Sequence, residues 1–159
     1  MIEDAATSHS DVTLAAAVPR PDSYAGEVPV LYVTLRPQSV LTLEELTKYV
    51  SANVPERAAV PKAIYIIDEI PLTAVGKIYK PELVCLEIKQ TITEIINTNL
   101  KNKTVQVNVF ADKKLGIKAN ILVNEDDSSA LQEQIKMLLT PYSFNYEVLV
   151  IKTKINEVA

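Results

Sequence analysis

The chain has 159 residues, is 48% hydrophobic and carries a formal net charge of -4 at pH 7, so it can build one medium-sized core or two small ones. An acidic balance without a basic cluster argues against nucleic-acid binding, and no apolar run approaches the roughly 18 residues of a membrane span. With one cysteine, Cys85, and one histidine, His9, the chain has no internal disulfide and no cysteine- or histidine-based metal site. We therefore predict a globular cytoplasmic protein without a metal.

The chain opens with a predicted helix, a strand and a turn. Ile2, Ala5 and Ala6 share one helical face. Residues 12–18 form a strand-like run, and the proline-rich cluster at residues 19–22 predicts a turn after it.

A second strand and a well-marked helix follow. Residues 28–35 alternate as a strand does, and Pro29 indicates that part of this strand lies at a sheet edge, because proline cannot donate to a ladder. Thr42 and Glu45 form a capping box, which predicts the start of the helix. Its predicted core stripe, which ends before Pro55, consists of Leu43, Leu46, Val50 and Val54.

A third strand, residues 63–68, leads into a loop in which Pro71, Thr73, Gly76 and Lys77 are concentrated. A lysine held by a glycine-containing turn is a compact, strongly hydrated cation that can be brought to a carboxylate or phosphate and withdrawn. Lys77 is therefore the candidate functional residue.

The spacing alone leaves two interpretations of Lys77 open. A phosphate-binding P-loop would need glycine where Pro71 stands and serine or threonine where Ile78 stands, so that motif is excluded. A surface lysine in a hairpin turn and a functional lysine both fit the remaining pattern.

The composition changes near residue 84, and the second part repeats the order of the first. Residues 1–84 hold eight of the nine prolines. Gly26 and Gly116 occupy the same place in the two parts, between the first and second strands. In the second part, the helical stripe consists of Ile88, Ile92, Ile95, Ile96 and Leu100. Two strand faces follow, one of Val105, Val107 and Val109 and one of Ile117, Ala119, Ile121 and Val123. Ser129 with Gln132 forms a capping box, Pro141 ends the helix that it begins, and residues 146–152 form the last strand.

We therefore predict an α+β fold of two small αββαβ units in tandem, residues 1–84 and 85–159. Each unit has a three-stranded sheet with helices on one side, and the second is a degenerate copy that forms a C-terminal extension. This second unit contains no counterpart of the Lys77 loop.

Several motifs resemble the C-terminal domain of AMP-forming acyl-CoA synthetases. They are the Pro-Asp to Gly-Glu segment of residues 21–27, the Leu-Thr-Leu-Glu-Glu-Leu run of residues 41–46, the Val-Pro-Lys of residues 60–62 and the Pro-x-Thr-x-x-Gly-Lys loop of residues 71–77. The resemblance covers about half of the chain, and the motifs stand in the family's order.

The resemblance implies a ligase that activates a carboxylic acid with ATP and Mg²⁺ and passes the acyl group to coenzyme A. Lys77 matches the lysine that reaches into the adenylation site, and Pro71, Thr73 and Gly76 would support its loop. Gly26 and Glu27 would shape a turn and an interdomain surface. The large N-terminal domain with the nucleotide and carboxylate pockets would be missing, so the chain alone should be inactive and its acyl substrate cannot be named.

Two other classes of function fit the sequence. Tandem αββαβ units could form a non-catalytic, ferredoxin-like module that binds small regulatory molecules. The chain could instead be a structural docking domain, in which Lys77 would be dispensable.

Overall fold

A computed structural model describes residues 1–101, 103–112, 114, 116–125 and 128–152 of the chain. The chain forms two compact units, one made of residues 1–20 and 27–83 and the other of residues 21–26 and 84–159. In order, the elements are α1 (Ile2–Thr7), β1 (Val12–Asp22), β2 (Gly26–Leu35), α2 (Leu43–Asn53), a 3₁₀ turn (Arg57–Ala59), β3 (Ala63–Ile66), α3 (Lys80–Asn99), β4 (Val105–Asp112), β5 (Gly116–Asn124), α4 (Ser128–Leu139) and β6 (Asn145–Ile151).

The described strands form two separate three-stranded sheets, in the orders β1-β2-β3 and β4-β5-β6. The middle strand of each sheet pairs in parallel with the strand that follows the connecting helix, β2 with β3 and β5 with β6. The prediction of an α+β fold with two tandem units is therefore confirmed.

The first unit buries apolar side chains between its helices and one face of its sheet. This face forms because residues two apart along a strand point to the same side. The buried cluster draws on α1, α2 and all three strands, and it includes three of the four residues predicted for the α2 stripe. Its members are Ala5, Ala6, Val12, Ala15, Leu31, Val33, Leu46, Val50, Val54 and Ile64.

Strand β2 lies in the centre of the first sheet, but its ladder with β3 covers only Val30 to Val33, so the edge predicted from Pro29 is confined to the first residues of the strand. Four consecutive residues, Val30 to Val33, are each at most 2% exposed, which means that both faces of β2 are covered. Proline is tolerated here because the ladder with β3 begins one residue later, at Val30 opposite Ala63. The Pro29 carbonyl accepts a hydrogen bond from the Lys62 N–H at 2.8 Å.

The turn predicted at residues 19–22 was wrong, because β1 continues to Asp22. β1 is an edge strand, and Pro19 and Pro21 are two residues apart, so their missing N–H groups lie on the same side of the strand. Prolines spaced in this way can occupy an edge strand without breaking the ladder on its paired side. The actual turn follows at residues 23–25.

Helix α2 begins as predicted. Thr42 Oγ1 accepts from the Glu45 N–H at 3.3 Å, and Glu45 Oε2 accepts from the Thr42 N–H at 3.0 Å, which completes the capping box. The hydrogen bonds from Thr42 lower the pKa of Glu45. One residue of the predicted core stripe was wrong: Leu43 is 48% exposed, because it is the first helical residue and faces outward.

The second unit packs α3 and α4 on its sheet. β4 runs antiparallel to β5. Helix α4 already includes Ser128, so Ser129 lies inside the helix and the capping box predicted there was wrong. α4 ends at Leu139, as predicted from Pro141. The buried cluster contains Ile88, Ile92, Ile96, Val107, Ala119, Ile121, Val123, Leu131, Ile135 and Leu139.

None of the helices in the described part of the chain has the length and hydropathy needed to span a bilayer.

Candidate functional site

Lys77 lies on a short hairpin of the first unit that begins after Ile70, which is 1% exposed. Leu72 and Ile78 form an antiparallel bridge, and the Tyr79 N–H donates to the Pro71 carbonyl at 2.7 Å. These contacts hold the two arms of the hairpin together on either side of its tip.

The tip is a three-residue loop closed by backbone hydrogen bonds. The Thr73 N–H donates to the Lys77 carbonyl at 2.7 Å, and the Gly76 N–H donates to the Thr73 carbonyl at 2.8 Å. Thr73 Oγ1 also accepts from the Lys77 N–H at 3.1 Å. Gly76 has φ +79°, the left-handed conformation that such loops require at this position. The loop therefore holds the backbone of Lys77 in one geometry.

The Lys77 side chain is exposed, and it makes no hydrogen bond or ion pair with any residue in the described part of the chain. Its neighbour at the tip, Val75, is 90% exposed. The structure thus places Pro71, Thr73 and Gly76 on the same hairpin as Lys77 and presents the ammonium group to solvent. Its catalytic role stays a prediction.

A substitution at Gly76 should test how strongly the loop depends on left-handed backbone geometry. A Cβ at this position would meet no atom within 4 Å, so only backbone strain opposes a side chain. We expect Gly76→Ala to lower the free energy of unfolding by about 1 kcal/mol, measured by urea denaturation. Gly76→Asn is the matched control and should lose less, because asparagine tolerates this conformation. Equal losses in the two variants would contradict the explanation.

Gly26 and Glu27 lie on a different turn of the first sheet. Asp22 Oδ1 accepts from the Tyr24 N–H at 2.9 Å and the Ala25 N–H at 2.7 Å, and Gly26 follows with φ +78°. This anchoring by Asp22 was missed by sequence reasoning, although an aspartate before a glycine turn is a common signal.

Glu27 is exposed and lies along an open groove of about 300 Å³ whose other lining residues are Ala17, Val18, Pro19, Val28 and Pro29. No hydrogen bond or ion pair joins Glu27 to Lys77 within the described residues. The structure therefore shows two separate features, a lysine hairpin and a Gly-Glu turn. The interdomain role of Gly26 and Glu27 stays a prediction.

Glu3 is a further polar residue that sequence reasoning missed. One of its carboxylate oxygens, Oε1, accepts from the Ala17 N–H at 2.9 Å and from Lys80 Nζ at 2.7 Å. Partial burial acts to raise the pKa of Glu3, but the hydrogen bonds from Lys80 and Ala17 and the nearby positive charges outweigh it, so the pKa is lowered. No sequence motif links residues so far apart, so only the fold reveals this contact.

The lowered pKa of Glu3 predicts a pH dependence of stability. A carboxyl group with a lower pKa in the folded state stabilises the fold above its unfolded pKa, about 4.3, and this contribution is lost as pH falls through the folded pKa. We expect Glu3→Gln to reduce the urea midpoint at pH 7 and the difference from the unsubstituted chain to shrink as the pH is lowered below 4.3. A difference that does not change with pH would contradict the charge-based explanation.

Among the residues that the structure describes, no group of three or more histidine, cysteine, aspartate and glutamate side chains is arranged to hold a metal ion.

Residues 1–77, just under half of the chain, match the family model of the AMP-binding enzyme C-terminal domain, and this segment is assigned to that family. The chain is 35% identical over 149 residues to marinolic acid–CoA ligase of Pseudoalteromonas sp. strain SANK 73390, covering 92% of this chain and 23% of that protein. It is 42% identical over 79 residues to acetyl-coenzyme A synthetase of Deinococcus radiodurans, covering 50% of this chain and 12% of that protein.

The crystal structure of Brucella canis acyl-CoA synthetase is similar, with a TM-score of 0.52 and 31% identity over 57% of this chain and 17% of that one. The chain thus spans a quarter or less of the length of these relatives. The 149-residue match extends past the first unit into the second. Membership of the family does not favour the ferredoxin-like regulatory module.

Proposed function

We propose that the first unit is the mobile C-terminal lid of an AMP-forming acid–thiol ligase and that Lys77 is its catalytic cation. The substrates are a carboxylic acid, ATP as its Mg²⁺ complex and coenzyme A. The observation that supports this most strongly is the presentation of Lys77: an exposed ammonium group without a partner in the described chain, on a loop held by four hydrogen bonds of 2.7–3.1 Å.

The chemistry explains why a cation is needed. In the first half-reaction a carboxylate oxygen bonds to the α-phosphorus of ATP while the bond from that phosphorus to pyrophosphate breaks. Two anions approach each other and negative charge collects around the α-phosphate, so a positioned cation lowers the barrier. Lys77 supplies this charge in the proposed mechanism, and Gly76 and Thr73 fix the backbone from which it extends.

A cation on a separate domain can also be withdrawn. In the second half-reaction the thiol of coenzyme A attacks the acyl carbon of the acyl-adenylate, and AMP leaves. Rotation of the lid would remove Lys77 and open the intermediate to the thiol, so that one domain serves both steps. The partner is then a large adenylation domain with the ATP and carboxylate pockets, and the proposed reaction takes place in the cytoplasm.

A domain exchange tests this proposal. The segment of marinolic acid–CoA ligase that matches this chain is replaced by this chain, and ATP-dependent formation of the CoA thioester of marinolic acid is measured. We expect the exchanged enzyme to be active, while the truncated ligase without any lid and this chain alone are inactive. A correctly folded exchange enzyme with no activity above that of the truncated ligase would contradict the proposed function.

A further inference from the structure

The Glu3 carboxylate connects residues of three elements, and all three residues lie in the first unit. It projects from the first turn of α1, accepts the Ala17 N–H of β1 at 2.9 Å and pairs with Lys80, the first residue of α3, at 2.7 Å. Helix α1 is itself fixed, because Ala5 and Ala6 are in the buried core. The carboxylate is therefore held from two sides, by a backbone donor and by a helix packed into the core.

Lys80 is three residues after Lys77 and directly follows the hairpin. The hydrogen bonds within the hairpin, from Thr73 to Lys77 and from Tyr79 to Pro71, close the hairpin on itself. They shape the loop but do not attach it to the rest of the unit. At the entry Ile70 is buried; at the exit Lys80 contacts Glu3, and Leu83 is buried three residues further on in α3.

We propose that Glu3 is a positioning residue for Lys77: through Lys80 it fixes the exit of the hairpin and so the direction in which the Lys77 ammonium group is presented. This inference rests on the proposed function. The pair belongs to the first unit alone and needs no other part of the enzyme to form.

The ion pair of Glu3 and Lys80 lies next to the hairpin of Lys77, so a weak contact at this position could affect adenylation. Side chains of Glu3 and Lys80 are 37% and 46% exposed, so solvent weakens the pair and its effect on overall stability should be small. A catalytic cation, by contrast, acts only when it is placed accurately, and a displacement of about 1 Å can cost up to 100-fold in rate. Loss of the pair should therefore change adenylation more than it changes folding.

The test uses the domain-exchange enzyme and measures the two half-reactions separately. Glu3→Gln keeps an oxygen that can accept from the Ala17 N–H but removes the charge, and Lys80→Met removes the ammonium group and keeps most of the length of the side chain. We expect each variant to slow ATP–pyrophosphate exchange roughly tenfold and to leave thioester formation from supplied acyl-adenylate within about twofold. Lys80→Arg should restore most of the exchange rate, because arginine keeps the charge.

The double variant identifies a shared cause. If Glu3 and Lys80 act as one unit, Glu3→Gln combined with Lys80→Met should be no slower than either single variant. Equal losses in both half-reactions, or unchanged exchange in both single variants, would overturn the inference. Lys77→Ala in the same assay distinguishes failure of this inference from failure of the proposed function. If Lys77→Ala slows ATP–pyrophosphate exchange while Glu3→Gln does not, only the positioning role of Glu3 fails. If Lys77→Ala leaves ATP–pyrophosphate exchange unchanged, the proposed function fails.

Discussion

Lys77→Ala in the domain-exchange enzyme is expected to slow acyl-adenylate formation by at least about 100-fold, because in the proposed mechanism it removes a cation from the site where charge collects in the transition state. Thioester formation from supplied acyl-adenylate should change by less than about threefold, since the proposed rotation of the lid withdraws Lys77 before the thiol attacks. ATP–pyrophosphate exchange and single-turnover thioester formation measure the two steps.

Two control variants accompany this prediction. Lys48→Ala removes another exposed lysine of the first unit, one that pairs with Glu44 at 2.6 Å on α2, and should leave both half-reactions unchanged. Lys77→Arg keeps the charge in a larger, planar group and should retain part of the exchange rate. If Lys77→Ala slowed both half-reactions equally, Lys77 would support docking or folding and would not act on the reacting phosphate.

Ile121→Ala should destabilise the second unit by about 2–5 kcal/mol, the usual range for removing a large side chain from a packed core. Ile121 is fully buried in the central strand β5, opposite Val107 of β4 and Val148 of β6. Met137→Ala is the matched control, because Met137 on α4 is 75% exposed, and should change stability by less than about 0.5 kcal/mol.

Hydrogen-exchange mass spectrometry should place this loss in β4, β5 and β6. The buried clusters of the two units contain different residues, so exchange in β1, β2 and β3 should rise much less. We also propose that the second unit takes no part in the chemistry. Ile121→Ala should then leave ATP–pyrophosphate exchange within about twofold at temperatures where the enzyme stays folded. Equal acceleration of hydrogen exchange in both sheets would contradict the separate cores of the two units. A large loss of ATP–pyrophosphate exchange would contradict the proposal that the second unit takes no part in the chemistry.

Local patterns predicted those parts of the fold in which a short-range signal determines the structure. The capping box of Thr42 and Glu45 identified the start of α2, because both of its hydrogen bonds form between residues three apart. Hydrophobic periodicity likewise identified the helix that became α3 and the strands of the second sheet.

The errors came where sheet order decides what a residue does. Pro19 and Pro21 indicated a turn, yet an edge strand tolerates prolines two residues apart. Pro29 indicated an edge, yet β2 is the central strand and only its residues before Val30 have no partner in β3 at this end. The position of a strand within its sheet depends on contacts between distant residues, which a local pattern does not record.

The candidate site also contains one part that the local sequence determines and one part that depends on contacts between distant residues. The Pro-x-Thr-x-x-Gly-Lys spacing identified the hairpin that carries Lys77, because a three-residue loop with glycine at its left-handed position is determined locally. The contact between Glu3 and Lys80 was not predicted, because these residues come together only when α1, β1 and α3 are assembled. Lys77, the proposed catalytic residue, was visible in the sequence, whereas Glu3, the residue proposed to position its loop, was not.

Chemical labelling of lysines tests the central proposal most directly. In the domain-exchange enzyme, lysines are acetylated with acetic anhydride, with and without a non-hydrolysable analogue of the acyl-adenylate, and the extent at each lysine is measured by mass spectrometry. We expect Lys77, which is exposed and unpaired within the described chain, to react readily in the free enzyme and to be protected by the analogue, while Lys48 reacts equally in both states. Unchanged labelling of Lys77 with the analogue bound would contradict the proposal that this lysine enters the adenylation site.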